Sequence, residues 1–282
     1  MRQLALLPLA VAACTAHPRP MPPTPPAAER HADAAAVLAR LWPDGCFTLA
    51  EPDGTILESD HARCAAPRRP YSTFKLANAL IAVDAGVLSG PDAPMTWDKD
   101  AVPDHADWPD VWRKPHTLRS GIEVSAVPYF RTLARTLGAD RMRAGLAKLA
   151  YGNQDITPAI DLFWLSGGLR ISAAQQLAFV AALAHGTLGV TPHAQATVRE
   201  ISILERDSDR VLHGKTGSGD IEDHPGWLVW QVGYIEHGTD LLPYAAWMEA
   251  GTDVDLDAVR ARREHRLRAT LDALHWFPVT TD

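Results

Sequence analysis

A serine and a lysine stand three residues apart in Ser72-Thr73-Phe74-Lys75, at the start of a helix predicted over 72–85. This spacing places the Ser72 hydroxyl and the Lys75 amine on one helix face, where a proton can pass between them. Serine is a weak nucleophile unless a neighbouring base takes its proton. The free N–H groups of a helix start can also hold an oxyanion. The pair predicts nucleophilic catalysis, although the same spacing also arises by chance.

Three further motifs follow along the chain. Ser125-Ala126-Val127 precedes a predicted helix, Tyr151-Gly152-Asn153 follows one, and Lys215-Thr216-Gly217-Ser218 lies on a predicted strand. The last of these ends like a phosphate-binding loop, but that motif requires glycine at position 209, where the chain has Asp209. We therefore interpret it as a strand whose small residues let a substrate lie against the backbone, with Lys215 beside the substrate carboxylate.

These four motifs, in this order, resemble those of the class D serine β-lactamases, the oxacillinase family. The resemblance extends from about Cys46 to Leu274 and includes the segment from Phe163 to Ser172. It implies an α/β (α+β) fold of the serine β-lactamase/transpeptidase type, with an antiparallel sheet flanked by helices and an all-helical subdomain. It also implies hydrolysis of β-lactam antibiotics without a metal. The 12 histidines agree, because none forms a zinc motif such as H-E-x-x-H.

The resemblance implies that carbamylated Lys75 (N6-carboxylysine, formed with CO2 or bicarbonate) is the general base for acylation and deacylation. Val127 stands where related enzymes of class A have asparagine. An apolar pocket favours the neutral amine that adds CO2. Trp164 matches the tryptophan that donates a hydrogen bond to the carbamate. Ser125, between Lys75 and Lys215, passes the proton to the leaving nitrogen.

The substrate contacts are also implied by the resemblance. The oxyanion hole consists of the N–H groups of Ser72 and Ser218, and Val127 and Leu165 form an apolar gate over the base. An arginine of the last helix joins Lys215 at the substrate carboxylate; Arg263 is favoured, and the adjoining Arg262 remains open. The other predicted substrate-binding residues are Tyr151, Asn153, Thr216 and Gly217. Ser218 and a longer loop over 219–225 differ from the family pattern, so the antibiotic spectrum is not predicted.

The N-terminus is typical of a bacterial secretory signal. Arg2 precedes an apolar run, and Val11-Ala12-Ala13-Cys14 resembles a lipobox, in which the cysteine is lipidated. A plain signal peptide cut further along is the alternative. We predict a signal peptide over 1–13, a Pro-rich tether over 14–28, and a periplasmic enzyme anchored by lipid to the outer membrane of a Gram-negative bacterium.

The remaining residues, 29–282, are expected to form one catalytic domain with a helical subdomain inserted at about 90–195. Cys46 and Cys64 flank a hairpin and form an even pair in an oxidising compartment, so a disulfide is predicted, with two buried thiols as the alternative. The apolar patterns predict helices over 29–42, 72–85, 127–137, 139–150, 172–185 and 256–274, and strands over 46–57 (the hairpin), 201–204, 210–214, 227–235 and 242–248.

Composition excludes several other classes of protein. The chain has 282 residues and a net charge of −7, which argues against a nucleic-acid partner, and it lacks an apolar run long enough to span a membrane. Two alternatives to the hydrolase remain. A non-hydrolytic β-lactam sensor is expected to follow transmembrane helices, and a DD-peptidase or transpeptidase would not require Trp164 together with Val127. Oligomeric state is not predicted.

Overall fold

This computed structural model describes residues 27–277, and the side chains from residue 33 onward. The predicted signal peptide, Cys14 and the tether up to residue 26 lie outside the described residues. Ala27 and Ala28, assigned to the tether, already belong to the first helix. No helix within 27–277 combines the length and the apolar character that crossing a membrane requires.

The main sheet has six antiparallel strands in the order β2-β1-β8-β7-β6-β5, and β3 and β4 form a separate small pair. Short 3-10 turns cover Tyr71–Thr73 and Asp110–Arg113. In chain order the elements are α1 (Ala27–Leu41), β1 (Gly45–Ala50), β2 (Ile56–Glu58), α2 (His61–Ala65), α3 (Phe74–Asp84), β3 (Pro94–Met95), β4 (His116–Thr117), α4 (Leu118–Glu123), α5 (Val127–Leu149), α6 (Ala173–His185), α7 (Pro192–Ile201), β5 (Ile203–Asp207), β6 (Arg210–Asp220), β7 (Trp227–His237), β8 (Asp240–Ala250) and α8 (Leu256–Ala273).

The sheet separates two hydrophobic cores. The front core packs the sheet against α3, α5, α6 and α7, and the back core packs it against α1 and α8. Side chains of a strand alternate between the two faces. On β1, Cys46 accordingly enters the front core and Phe47 the back core. The antiparallel sheet between helices confirms the predicted fold class.

The Cys46–Cys64 disulfide is present, as predicted. Cys64, however, does not flank a strand directly. It lies on the five-residue helix α2, which Asp60 caps by accepting from the Arg63 N–H. Two predicted helices form the single element α5, which is interrupted where Gly138 adopts φ 76°. Ser172 caps α6 as predicted.

The strand β6 differs in pairing between its two halves. It pairs with β7 along its whole length but with β5 only through residues 210–213. Next, the Gly214 N–H turns away from β7 and donates to the Ser202 carbonyl at 2.8 Å. The N–H groups of successive residues in a strand point to alternate sides. Ser218 follows Gly214 by four residues, so its N–H points to the same side as that of Gly214. The second half of β6 therefore presents an open backbone edge.

Candidate active site

Ser72 and Lys75 come together where a 3-10 turn leads into α3. Tyr71 has the left-handed φ of 49°, and Ser72 follows it, partly exposed, in the turn. The Lys75 Nζ lies 2.5 Å from Ser72 Oγ and 3.1 Å from Ser125 Oγ, while the Lys75 side chain has no exposed surface. One amine thus contacts two hydroxyls that are 53 positions apart in the sequence.

The site is electropositive and poorly solvated. Burial lowers the pKa of Lys75 well below its usual value, and the neighbouring charge of Lys215 lowers it further. Burial, followed by the charge of Arg263, lowers the pKa of Lys215 to about 7. Within residues 27–277 none of these three cations has an ion pair. The arrangement therefore favours a neutral amine at Lys75 and attracts an anion to Lys215 and Arg263.

Trp164 packs beside the nucleophile. Its ring lies 5.2 Å from that of Phe74, and its carbonyl accepts from the Tyr71 N–H at 3.1 Å. The indole is fully buried, yet its Nε1–H has no hydrogen-bond partner among the described residues. A buried donor without an acceptor costs about 1–3 kcal/mol. This N–H is therefore available to an acceptor.

The open edge of β6 passes close to the nucleophile. A Cβ added to Gly217 would lie 2.8 Å from the Pro70 carbonyl oxygen and 3.2 Å from the Ser72 nitrogen. Only glycine permits this approach. It brings the N–H of Ser72 and the outward N–H of Ser218 to the same edge, and Thr216, partly exposed, lies on the same strand.

Of the two arginines left open, the structure favours Arg263. Its side chain is buried, Nη1 donates to the Trp230 carbonyl at 3.4 Å, and Nε has no partner; Arg262 is exposed. Arg260, not predicted as a site residue, donates to Ser218 Oγ at 2.8 Å. The sequence could have indicated Arg260, because it precedes Arg263 by three residues and therefore lies on the same face of α8.

Val127 and Leu165 are both half-buried, and Leu165 packs against the front core. The structure does not bring Tyr151 to the cleft. Its side chain is fully buried, and its hydroxyl accepts from Gln176 Nε2 at 3.1 Å. Asn153 instead fixes a loop, since its side chain donates to the Gly168 carbonyl and accepts from the Arg170 N–H. Tyr151 is therefore part of the front core, whereas the exposed Asn153 holds its own loop in place.

The end of β6 and the loop after it are attached to the segment just before Ser72 and to Arg170. Tyr71 donates its hydroxyl to the Asp220 carbonyl, and Glu222 pairs with Arg69 at 2.7 Å and also with Arg170. A Cβ on Gly219 would lie 2.1 Å from the Tyr71 ring. The glycine that departs from the family pattern therefore makes room for Tyr71. Across 27–277, no three His, Cys, Asp or Glu residues form a group suited to a metal.

Comparisons with known proteins agree with this geometry. Residues 51–252 match the penicillin binding protein transpeptidase domain. The chain is 35% identical to β-lactamase OXA-10 of Pseudomonas aeruginosa over 216 residues, 76% of this chain and 79% of that one. It is 37% identical to OXA-48 of Klebsiella pneumoniae over 184 residues, 65% and 66% of the two chains.

A solved structure extends the similarity to the fold. The class D β-lactamase FUS-1 (OXA-85) of Fusobacterium nucleatum superposes with a TM-score of 0.76 at 31% identity. The superposition covers 83% of this chain and 93% of that one. The chain therefore belongs to the class D β-lactamases, within the penicillin-binding transpeptidase family.

Proposed function

We propose that this chain hydrolyses β-lactam antibiotics through an acyl-enzyme on Ser72. The observation that carries the proposal is the fully buried Lys75 amine, in contact with the hydroxyls of both Ser72 and Ser125. A neutral amine in that position can take the Ser72 proton or be converted to an anionic base. Ser72 Oγ attacks the lactam carbonyl, and the carbonyl–nitrogen bond breaks as the nitrogen takes a proton.

The surroundings of Lys75 suit a carbamate. Its lowered pKa favours the neutral amine that CO2 requires, and Trp164 holds an unpaired buried N–H beside the Ser72–Lys75 turn. When formed, the carbamate supplies a base that only accepts hydrogen bonds. Trp164 then donates to it, and the cost of its unpaired N–H disappears. Val127 and Leu165 keep the surroundings apolar and regulate the access of water.

The remaining residues divide between proton transfer and substrate binding. Ser125, within 3.1 Å of Lys75, relays the proton to the leaving nitrogen. The N–H groups of Ser72 and Ser218 stabilise the oxyanion, as donors preset at an open strand edge do. Lys215, Arg263 and Thr216 bind the substrate carboxylate, which neutralises buried charges that form no ion pair within residues 27–277.

We assign the enzyme to the periplasm. The Cys46–Cys64 disulfide supports an oxidising compartment. The sequence Val11-Ala12-Ala13-Cys14 supports lipidation of Cys14 after removal of residues 1–13. Labelling of the expressed chain with a fatty acid, with and without Cys14→Ser, tests the anchor. Lack of label on the natural chain would contradict it.

The test of the function is benzylpenicillin hydrolysis by the purified chain, with and without bicarbonate. We expect turnover that bicarbonate increases and that Lys75→Ala reduces by about 10³-fold or more. Lys114→Ala, at an exposed lysine, is the matched control and keeps full activity. Stoichiometric acylation of Ser72 without turnover under either condition would contradict hydrolysis and indicate a sensor or peptidase instead.

The carbamate has its own readout. In ¹³C-bicarbonate, the natural chain is expected to show one carbamate carbon signal in the NMR spectrum, and Lys75→Ala none. Trp164→Phe should raise the bicarbonate concentration needed for half of the signal. Trp247→Phe is the control, because that indole N–H is also buried and unpaired but belongs to no part of the proposed site. Equal effects of both substitutions would contradict the role of Trp164.

A further inference from the structure

A cavity of about 610 Å³ opens beside Lys215 and Thr216. Its walls come from α4, from the junction of α7 with β5, and from Gly214–Thr216 of β6. It lies where β5 no longer pairs with β6, so it continues along the open edge that also passes Ser72. Neither Ser72 nor Ser125 lines it, and its volume is typical of small-molecule sites.

Four apolar side chains form part of the wall of this cavity. Ile122, Ile201, Ile203 and Leu204 line it, and Leu204 leaves 51% of its surface exposed. A Cβ on Gly214 would lie 3.0 Å from Leu204 Cδ1, so the glycine keeps this wall open. An exposed leucine in a concave site, beside further apolar side chains, favours an apolar group on the ligand.

Three basic and two acidic side chains line the cavity, and Lys215 is one of the basic ones. Arg119 and Glu200 bond each other at 2.6 Å. Glu123 and Arg206 add one charge of each sign. Because Lys215 is assigned to the substrate carboxylate, the rest of the cavity has no excess of either sign and favours an uncharged group over an anion or a cation.

The order of residues along β6 gives the cavity its relation to the substrate. From Ser218 at the oxyanion, the strand leads back to Lys215 at the carboxylate and then to Gly214 at the cavity. When a β-lactam is held at both points, the group attached next to its carboxylate therefore points toward the cavity. In penicillins the ring carries two methyl groups there, whereas cephalosporins carry the variable substituent on C3.

We propose that this cavity binds an uncharged aromatic substituent at C3 of a cephalosporin. The proposal rests on the proposed function, because it uses the substrate carboxylate at Lys215 as its reference point. The site is expected to prefer cephalosporins with a large flat C3 group to those with a small one.

The test compares two cephalosporins that share a thienylacetamido side chain. Nitrocefin carries a dinitrostyryl group at C3, and cephalothin a small acetoxymethyl group. In Leu204→Asn, the KM for nitrocefin is expected to rise about fivefold, whereas the values for cephalothin and benzylpenicillin stay within about 1.5-fold. Ile56→Asn is the control, since Ile56 is also 51% exposed and lies on β2 at the far edge of the sheet.

The outcomes separate the two proposals. Benzylpenicillin turnover by the natural chain tests the function. Given that turnover, an unchanged nitrocefin KM in Leu204→Asn, or an equal rise for all three substrates, would overturn the cavity proposal. If the natural chain is acylated without turnover, the same comparison is made on the rates of Ser72 acylation. Leu204→Ala, which adds no polar group, repeats the test if Leu204→Asn melts at a lower temperature.

Discussion

Two buried tryptophans show how the two faces of the sheet differ. In the back core, the Trp42 indole donates to Thr270 Oγ1 at 3.0 Å. In the front core, the equally buried Trp164 indole has no partner within the described part of the chain. Lys75 and Lys215 extend the contrast, because both are buried amines that form no ion pair within residues 27–277. The back core thus satisfies the Trp42 donor, whereas the front core keeps the Trp164 donor and the two amines for substrate or modification.

The contrast between the two cores predicts which substitutions change stability and which change activity. Unpaired buried donors and charges destabilise a folded chain, and active sites retain them because the chemistry requires them. Substitutions in the back core should therefore change the free energy of unfolding and leave turnover intact. Substitutions at the front-core site should lower turnover without destabilising the folded chain.

The largest effect is expected from Phe47→Ala in the back core. Phe47 is fully buried, and its ring stacks on that of Tyr244 at 6.0 Å. Its loss leaves a cavity and should lower the free energy of unfolding by about 3–5 kcal/mol in urea denaturation. At 25 °C the kcat/KM for benzylpenicillin should stay within about twofold. A fall in kcat/KM beyond that in the folded variant would remove the distinction between the faces.

Lys75→Met should have the opposite effect on stability. Methionine fills the site without a buried amine, so we expect a gain of about 2 kcal/mol in CO2-free buffer, together with loss of turnover. The folded pKa of Lys75 is lowered, so the unfolded chain binds a proton that the folded chain releases. Stability of the natural chain therefore rises with pH above that pKa. The variant should show a smaller rise between pH 7 and 10; an unchanged slope would contradict the assignment.

Lys215→Arg tests the charge at the carboxylate site. The Lys215 pKa is about 7, so the free enzyme loses this charge as the pH rises through neutrality. In the natural chain, kcat/KM for benzylpenicillin should therefore show an alkaline limb, a fall of about tenfold between pH 6 and pH 8. Arginine stays protonated, so the limb should vanish in the variant, whatever its absolute rate. A limb that persists would assign the titration to another group.

The smallest effect is expected from Tyr151→Phe. The substitution removes a buried hydroxyl that accepts from Gln176, at a cost of about 1 kcal/mol. Because Tyr151 has no exposed surface, the KM for benzylpenicillin should not change. A raised KM at unchanged stability would restore Tyr151 as a substrate contact.

Much of the fold could be predicted, because hydrophobic periodicity marked the strands and the long helices. The apolar pattern predicted this strand over 210–214 and the lysine motif placed 215–218 on a strand as well, whereas β6 runs to Asp220 although glycines at 214, 217 and 219 disfavour strands. Pairing with β7 overrides that preference along the whole strand. The helix α7 and the short α2 were missed, since α2 has only five residues and carries little pattern.

The site could be predicted in part. The spacing of Ser72 and Lys75 predicted their contact, and the motifs predicted Ser125 and Lys215 near them. The resemblance favoured Arg263 and left Arg262 open, because only the packing of α8 on the sheet decides which of the two is buried. The left-handed backbone at Tyr71 and the Glu222 ion pairs depend on long-range contacts that no local pattern encodes.

The position of α1 bears on how the enzyme can be presented to its substrates. This helix contacts α8 and the edge strand β2, whereas the nucleophile contacts β6, four strands away across the sheet. At roughly 4.8 Å per strand, that separation is about 19 Å. A lipid, a surface or a fused partner attached ahead of α1 therefore joins the molecule at the edge remote from the cleft. The enzyme can be immobilised through its N-terminus with the cleft facing the surrounding solution.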